Sequence, residues 1–216
     1  AYGGAIYSNG SITVVNSSFT NIKTTAQYGA GGAIYSYGDG IVINSSFTNI
    51  ATGNMGPGGA TYFYSSGTVI NSSFINTSAV NGGAGAIYSY SIVKVINSTF
   101  INTTAAAGGA IGADYSGRVY VTDSTFINNT ATDRGGAIVS SGGEVYVTGS
   151  TFTNAKSNTR GGAIFTSGGI VTVFDSKFED CQAPNGGSDI YGGGRVTLMT
   201  NDYDGETNYT TPTDVY

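Results

Sequence analysis

The chain has 216 residues, of which only 10% are charged, with 13 Asp/Glu against 8 Lys/Arg and a formal net charge of −5. No basic stripe is present to neutralise phosphates, which argues against a nucleic-acid partner, and 35 Gly with 3 Pro fit neither collagen nor a Pro-rich disordered segment. The lone Cys181 excludes an internal disulfide, and no stretch resembles a signal peptide or approaches the ~20 apolar residues of a membrane span.

In chain order, the first recurring element is a glycine corner followed by a short apolar run. It occupies 3–8, 31–36, 58–62, 85–89, 108–111, 135–139 and 161–165, with a worn copy at 186–191. A Gly/Ser/Asn/Asp turn follows each, as in Tyr37-Gly38-Asp39-Gly40. A second run then carries an invariant valine: Val14, Val42, Val69, Val95, Val121, Val147 and Val173. Five residues later stands an invariant phenylalanine: Phe19, Phe47, Phe74, Phe100, Phe126, Phe152 and Phe178. Ser precedes each Phe by two positions. Two positions after it come Asn21, Asn49, Asn76, Asn102, Asn128 and Asn154, then Asp180. A variable Thr/Ala/Asn segment leads back to the next corner.

Successive phenylalanines are 28, 27, 26, 26, 26 and 26 residues apart. This period is too regular for loops and too short for propeller blades of about 40 residues. Fixed β-branched and aromatic positions, turn residues between them and no helical periodicity predict short strands stacked on their own copies. The expected fold is all-β, a right-handed parallel β-helix with three short strands per coil and about seven to eight coils, since parallel crossovers are overwhelmingly right-handed. At ~4.8 Å per strand it would be roughly 35 Å long. The Phe residues would form a buried file and the Asn residues polar ladders. The pattern stops after Met199, so 1–200 reads as the repeat domain and 201–216 as a cap or a linker to a following domain. The chain opens inside a repeat and reads as a piece of a longer protein, attached to a membrane only through an anchor outside this segment.

For binding, the informative residues are aromatic. Tyr7, Tyr35, Tyr62 and Tyr88 share one column, and Tyr37, Tyr64 and Tyr90 lie two positions further on. A smaller stripe is Lys94, Tyr120 and Tyr146, opposite in face to the fixed valine. An outward column would suit stacking on sugar rings or a protein partner; the alternative is an ordinary ladder of mutually stabilising tyrosines. Arg134 and Arg160 share a column beside a glycine corner, as receivers of an acidic ligand or as solvated charges near Asp133. Asn-X-Ser/Thr occurs at Asn9, Asn16, Asn44, Asn71, Asn76, Asn97, Asn102, Asn128 and Asn208. The ladder positions among them are expected to be buried, leaving Asn9 and Asn208 accessible for glycosylation. Cys181, in a column with Ile22, Ile50 and Ala155, reads as a buried structural thiol.

The glycine corner paired with a Phe/Asn motif resembles the polymorphic outer-membrane protein repeat of chlamydial autotransporter adhesins. The fuller form, from Asp123-Ser124-Thr125-Phe126 to Ile138, is similar even more closely to adhesin-like surface proteins of methanogenic archaea. The chlamydial motif has Asn three after Phe, which only Phe126 with Asn129 satisfies here; this departure favours the archaeal group. The resemblance spans residues 1 to about 195. It implies an extracellular, cell-surface β-helix that attaches to a glycan or protein of another cell.

The rival readings are a carbohydrate-active β-helix enzyme, lyase or hydrolase, and a passive structural spacer. Glycoside hydrolysis needs paired carboxylates on one cleft, whereas the acids here are scattered and His, the commonest general base, is absent. Asp175, Glu179 and Asp180 are the tightest group, and the columns make Asp175 and Asp180 substitutes for ladder Asn. The 202–206 run lacks the ligands of a calcium loop. No catalytic residue, metal or cofactor is assigned.

Overall fold

The computed structural model describes residues 3–25, 29–53, 55–114, 117–203 and, for the backbone, 209–210. Those residues form a parallel β-solenoid of three sheets with no helix. The glycine corners lead into the first sheet, whose strands include Ile34–Ser36, Ile87–Ser89 and Ile164–Thr166; it is here called the tyrosine sheet. The valine sheet contains Gly40–Ile43, Arg118–Thr122 and Val171–Phe174, and the phenylalanine sheet Ser46–Ala51, Thr99–Ile101 and Lys177–Glu179. Every strand pairs in parallel with its equivalent one coil away, Phe on Phe and Val on Val. In the first three coils the phenylalanine strand runs on through its Asn; from Thr99 onward it is broken there into two short strands, as in Thr99–Ile101 and Thr104–Ala107.

The interior is a column of stacked copies. The seven Phe rings lie 4.6–5.0 Å apart, centroid to centroid, with planes within 1–7° of parallel. Val and Ile columns from the other two sheets close the core. Phe63 adds a ring at a corner where neighbouring coils place Ser36 and Ser89; a Cβ on Gly40 or Gly67 would lie 2.0 or 2.4 Å from that ring, so both flanking glycines are required.

Each corner is set by backbone conformation. The residue three before Phe and the residue two after it have φ of 45–58°, the left-handed region, which Asn, Asp and Gly tolerate best. Serine joins the coils there. Its Oγ donates to the carbonyl two residues back and accepts the N–H of the equivalent serine one coil earlier, as in Ser98 N–H to Ser124 Oγ at 3.1 Å. The glycine pairs divide two tasks. Gly135 supplies φ 64°, while a Cβ on Gly136 would lie 2.0 Å from the carbonyl oxygen of Gly162 in the next coil.

The stacking continues past Met199. Asn201 Oδ1 takes the place of a serine hydroxyl and accepts Ser176 N–H at 2.9 Å, and Tyr203 stacks on Phe178 at 5.3 Å. The strand Tyr209–Thr210 then pairs with Ile190–Gly192. Asn and Tyr thus fill columns held elsewhere by Ser and Phe, which is why the sequence pattern ends earlier than the coil.

Candidate functional site

The tyrosines fall into two classes that sequence spacing does not separate. Tyr35, Tyr62 and Tyr88 stack along the axis at 4.8 and 5.8 Å but are buried, which corrects their assignment to an exposed binding stripe. The reason is loop length. The glycine corner is reached 12, 11 and 10 residues after Phe19, Phe47 and Phe74, at Gly31, Gly58 and Ala84, but only 8 or 9 after Phe100, Phe126 and Phe152. At the ends of these longer returns Ala30 and Ala84 pack on the outer side of the rings. Burial raises the Tyr62 phenol well above its ordinary value, and the neighbouring Tyr90 adds to the shift.

In the later coils an arginine replaces the loop. Arg134 lies over the Phe165 ring with its guanidinium carbon 5.1 Å from the centroid, and Arg160 covers Tyr191 at 5.0 Å while donating to its hydroxyl at 3.3 Å. Both arginines are thus engaged by the fold, each cation–π contact contributing about 0.5–1 kcal/mol at an exposed site. Arg134 also pairs with Asp133 at 3.4 Å.

Tyr37, Tyr64 and Tyr90 remain on the surface, 42%, 52% and 36% exposed, at the corner between the tyrosine and valine sheets. Tyr7, exposed in the first coil, stacks on Tyr35. The three corner rings are 5.7 and 5.1 Å apart and splayed by 50° and 37°, unlike the closed Phe file. Asp39 sits in the same corner. Its Oδ1 accepts Ser65 Oγ–H at 2.6 Å and Ser66 N–H at 3.0 Å, and these bonds, the Ser65 hydroxyl's first, hold the carboxyl below its ordinary value. On the outer valine sheet Lys94, Tyr120 and Tyr146 lie in register; Tyr146 leans on Phe174 at 6.1 Å. Exposed Val15, Ile41 and Ile96 on that face carry no sequence signal apart from the alternation of a one-sided strand.

The Asn ladder runs along the rim, each Nδ2–H donating to Oδ1 of the preceding coil at 2.7–3.2 Å from Asn49 to Asn154. The sequon residues Asn16, Asn44, Asn71, Asn76, Asn97, Asn102 and Asn128 are exposed, contrary to the expected burial, because the left-handed corner turns the side chain outward. Asn9 is exposed and Asn208 lies outside the described residues. Cys181 is buried in the Ile22/Ile50/Ala155 column.

Among the described residues the carboxylates do not gather in a cleft; Glu179 and Asp202 meet only at Lys177 Nζ, 2.6 and 4.0 Å away. Glu144 pairs with Arg118, Glu179 with Lys177, and Asp175 accepts from the Thr200 hydroxyl. Among the described residues no three His, Cys, Asp or Glu side chains form a metal-sized group. Two shallow grooves flank the phenylalanine sheet, one lined by Lys23, Thr52 and Val80, the other by Lys156, Gln182 and Pro184, and neither lining includes a carboxylate.

Fold and surface together define a parallel β-solenoid with an exposed tyrosine ridge. The family model of the Chlamydia polymorphic membrane protein (Chlamydia_PMP) repeat matches residues 123–141. No curated protein and no solved structure matches the chain. The matched coil contains Phe126 and Asn129. Asn129 is fully buried, donating to Thr103 Oγ1 at 2.7 Å and Phe100 O at 3.2 Å, in a column that other coils fill with Ile22, Ile50, Thr77, Thr103, Ala155 and Cys181. The match and the solenoid together fit a polymorphic-outer-membrane-like β-helix.

Proposed function

We propose that this chain is the adhesive segment of an extracellular, cell-surface protein, attaching to a glycan or protein of another cell without catalysis. It would belong with the adhesin-like surface proteins of methanogenic archaea that its repeats resemble. The observation that carries the reading is the row Tyr37, Tyr64 and Tyr90, three half-exposed aromatics in successive coils on a surface otherwise rich in Ser, Thr and Asn. Aromatic residues are enriched at interaction sites relative to the rest of a protein surface. The match of residues 123–141 to a repeat of membrane proteins supports a surface location.

The test is attachment of the fluorescently labelled chain to a panel of whole cells, wild type against Tyr37→Ala/Tyr64→Ala/Tyr90→Ala. Saturable attachment lost in the variant is expected. Attachment to no cell type would point to a spacer, and shortening of polysaccharides on incubation would point to an enzyme.

A further inference from the structure

We propose that the tyrosine corner takes a neutral linear polysaccharide laid along the solenoid axis, one sugar ring per coil, against Tyr37, Tyr64 and Tyr90 with Asp39 accepting from its hydroxyls. The inference rests on the adhesive reading above and narrows its ligand to one class.

Ring orientation is the first argument. Tyr35, Tyr62 and Tyr88 stack coil on coil with interplanar angles of 11° and 7°, so their planes lie across the axis. Tyr37 stands at 75° to Tyr35, and Tyr90 at 83° to Tyr88 and 77° to Tyr62. The Tyr37 and Tyr90 rings therefore run along the axis and offer their faces to a chain lying in that direction, with Tyr64 splayed between them by 50° and 37°. A ladder built only for mutual stacking would have closed like the Phe file and left edges alone exposed.

Spacing is the second. Neighbouring corner rings are 5.7 and 5.1 Å apart, close to the advance of one pyranose unit in an extended chain, so successive sugars meet successive tyrosines in register. The flat apolar faces of pyranose rings pack on aromatic faces as other apolar surfaces do.

Size and charge select among partners. At ~4.8 Å per coil the ridge is only about 15 Å long, and a stable protein interface covers roughly 800 Å² per partner; a narrow convex ridge suits a thin chain better than a folded protein or a second copy. The corner is acidic: Asp114 takes the position one coil beyond Tyr90, and the Asp39 carboxylate is placed there by Ser65 and Ser66. Both of those bonds use Oδ1, so Oδ2 faces no donor among the described residues and is available to sugar hydroxyls by charge-assisted bonds. The same charge repels a polyanion.

Binding is measured by calorimetry with β-1,4-linked glucose and N-acetylglucosamine oligomers of increasing length, and by retention in gels containing soluble neutral glucan or alginate. Affinity should rise with length and level off near three or four rings, with neutral polymer retaining the chain and alginate not. Tyr64→Phe should keep binding and Tyr64→Ala should lower it about tenfold, with Thr125→Ala on the phenylalanine sheet as the folded control. Retention by alginate alone, no length dependence, or equal binding by Tyr64→Ala would overturn the inference. Whole-cell attachment that is lost in the tyrosine variant while every oligomer and neutral gel stays silent would overturn it and leave the adhesive reading standing. Silence in both assays would remove both.

Discussion

The side-chain amide of Asn154 donates to Oδ1 of Asn128 at 2.7 Å across one coil, while both residues hold φ near 55°. One residue type thus meets two requirements, a backbone that bends the wrong way for most L-residues and an amide that bonds its own copy. Asn102→Ala should cost about 1–2 kcal/mol from the left-handed strain alone, plus its share of ladder bonds. Asn102→Gly should cost less, because glycine adopts that φ freely and loses only the ladder. Urea unfolding of the two variants decides between them; equal losses would mean that the ladder, not the backbone, sets the choice of residue.

Phe100 is fully buried between Phe74 at 5.0 Å and Phe126 at 4.8 Å. Phe100→Ala should cost about 3–5 kcal/mol. Phe100→Leu, which refills part of the space, should cost distinctly less. A thermal melt unchanged by the alanine variant would contradict the buried file.

Gly136→Ala places a Cβ 2.0 Å from Gly162 O and 2.5 Å from Lys156 N, contacts with backbone that the stack cannot open without losing register. It should abolish folding or lower the midpoint by more than any surface change. Gly168→Ala, whose Cβ meets nothing within 4 Å, is the matched control and should leave the melt within a degree or two. Circular dichroism on both proteins suffices.

The Tyr62 phenol is raised above its ordinary value of 10.0 by burial first and Tyr90 second. The folded chain therefore holds this proton more tightly than the unfolded chain does. Its contribution is fully present below about pH 10 and is lost as pH climbs from there toward the folded value. Tyr62→Phe removes the titration, so between about pH 9 and about pH 11 its melting temperature should fall less than that of wild type. Parallel curves across that range would show that the phenol is not shielded.

The columns were legible because stacking favours one residue type in each: Val, Ser, Phe and Asn recur every 26 to 28 residues since each pairs in register with its own copy one coil away. Three features were not. Whether a tyrosine faces solvent depends on what packs over it, here Ala30 and Ala84, and the clue was the longer return before Gly31, Gly58 and Ala84, which correlates with a tyrosine at Tyr35, Tyr62 and Tyr88. Phe63 replaces a corner Ser only because Gly40 and Gly67 vacate the space on either side, a coincidence spread over 28 residues of sequence. Asn201 and Tyr203 continue the Ser and Phe columns with different chemistry, so matching by identity ends the array too early.

The backbone and side-chain ladders all bond one coil to the next, so any load pulling the two ends apart acts on coil-to-coil contacts in series. Such a stack should not rupture as a whole. Tension would peel the outermost turn and then the one beneath it, each releasing 26 to 28 residues or roughly 90 Å of contour. A tether of this construction would lengthen in steps under shear and so spare whatever grip its tip holds.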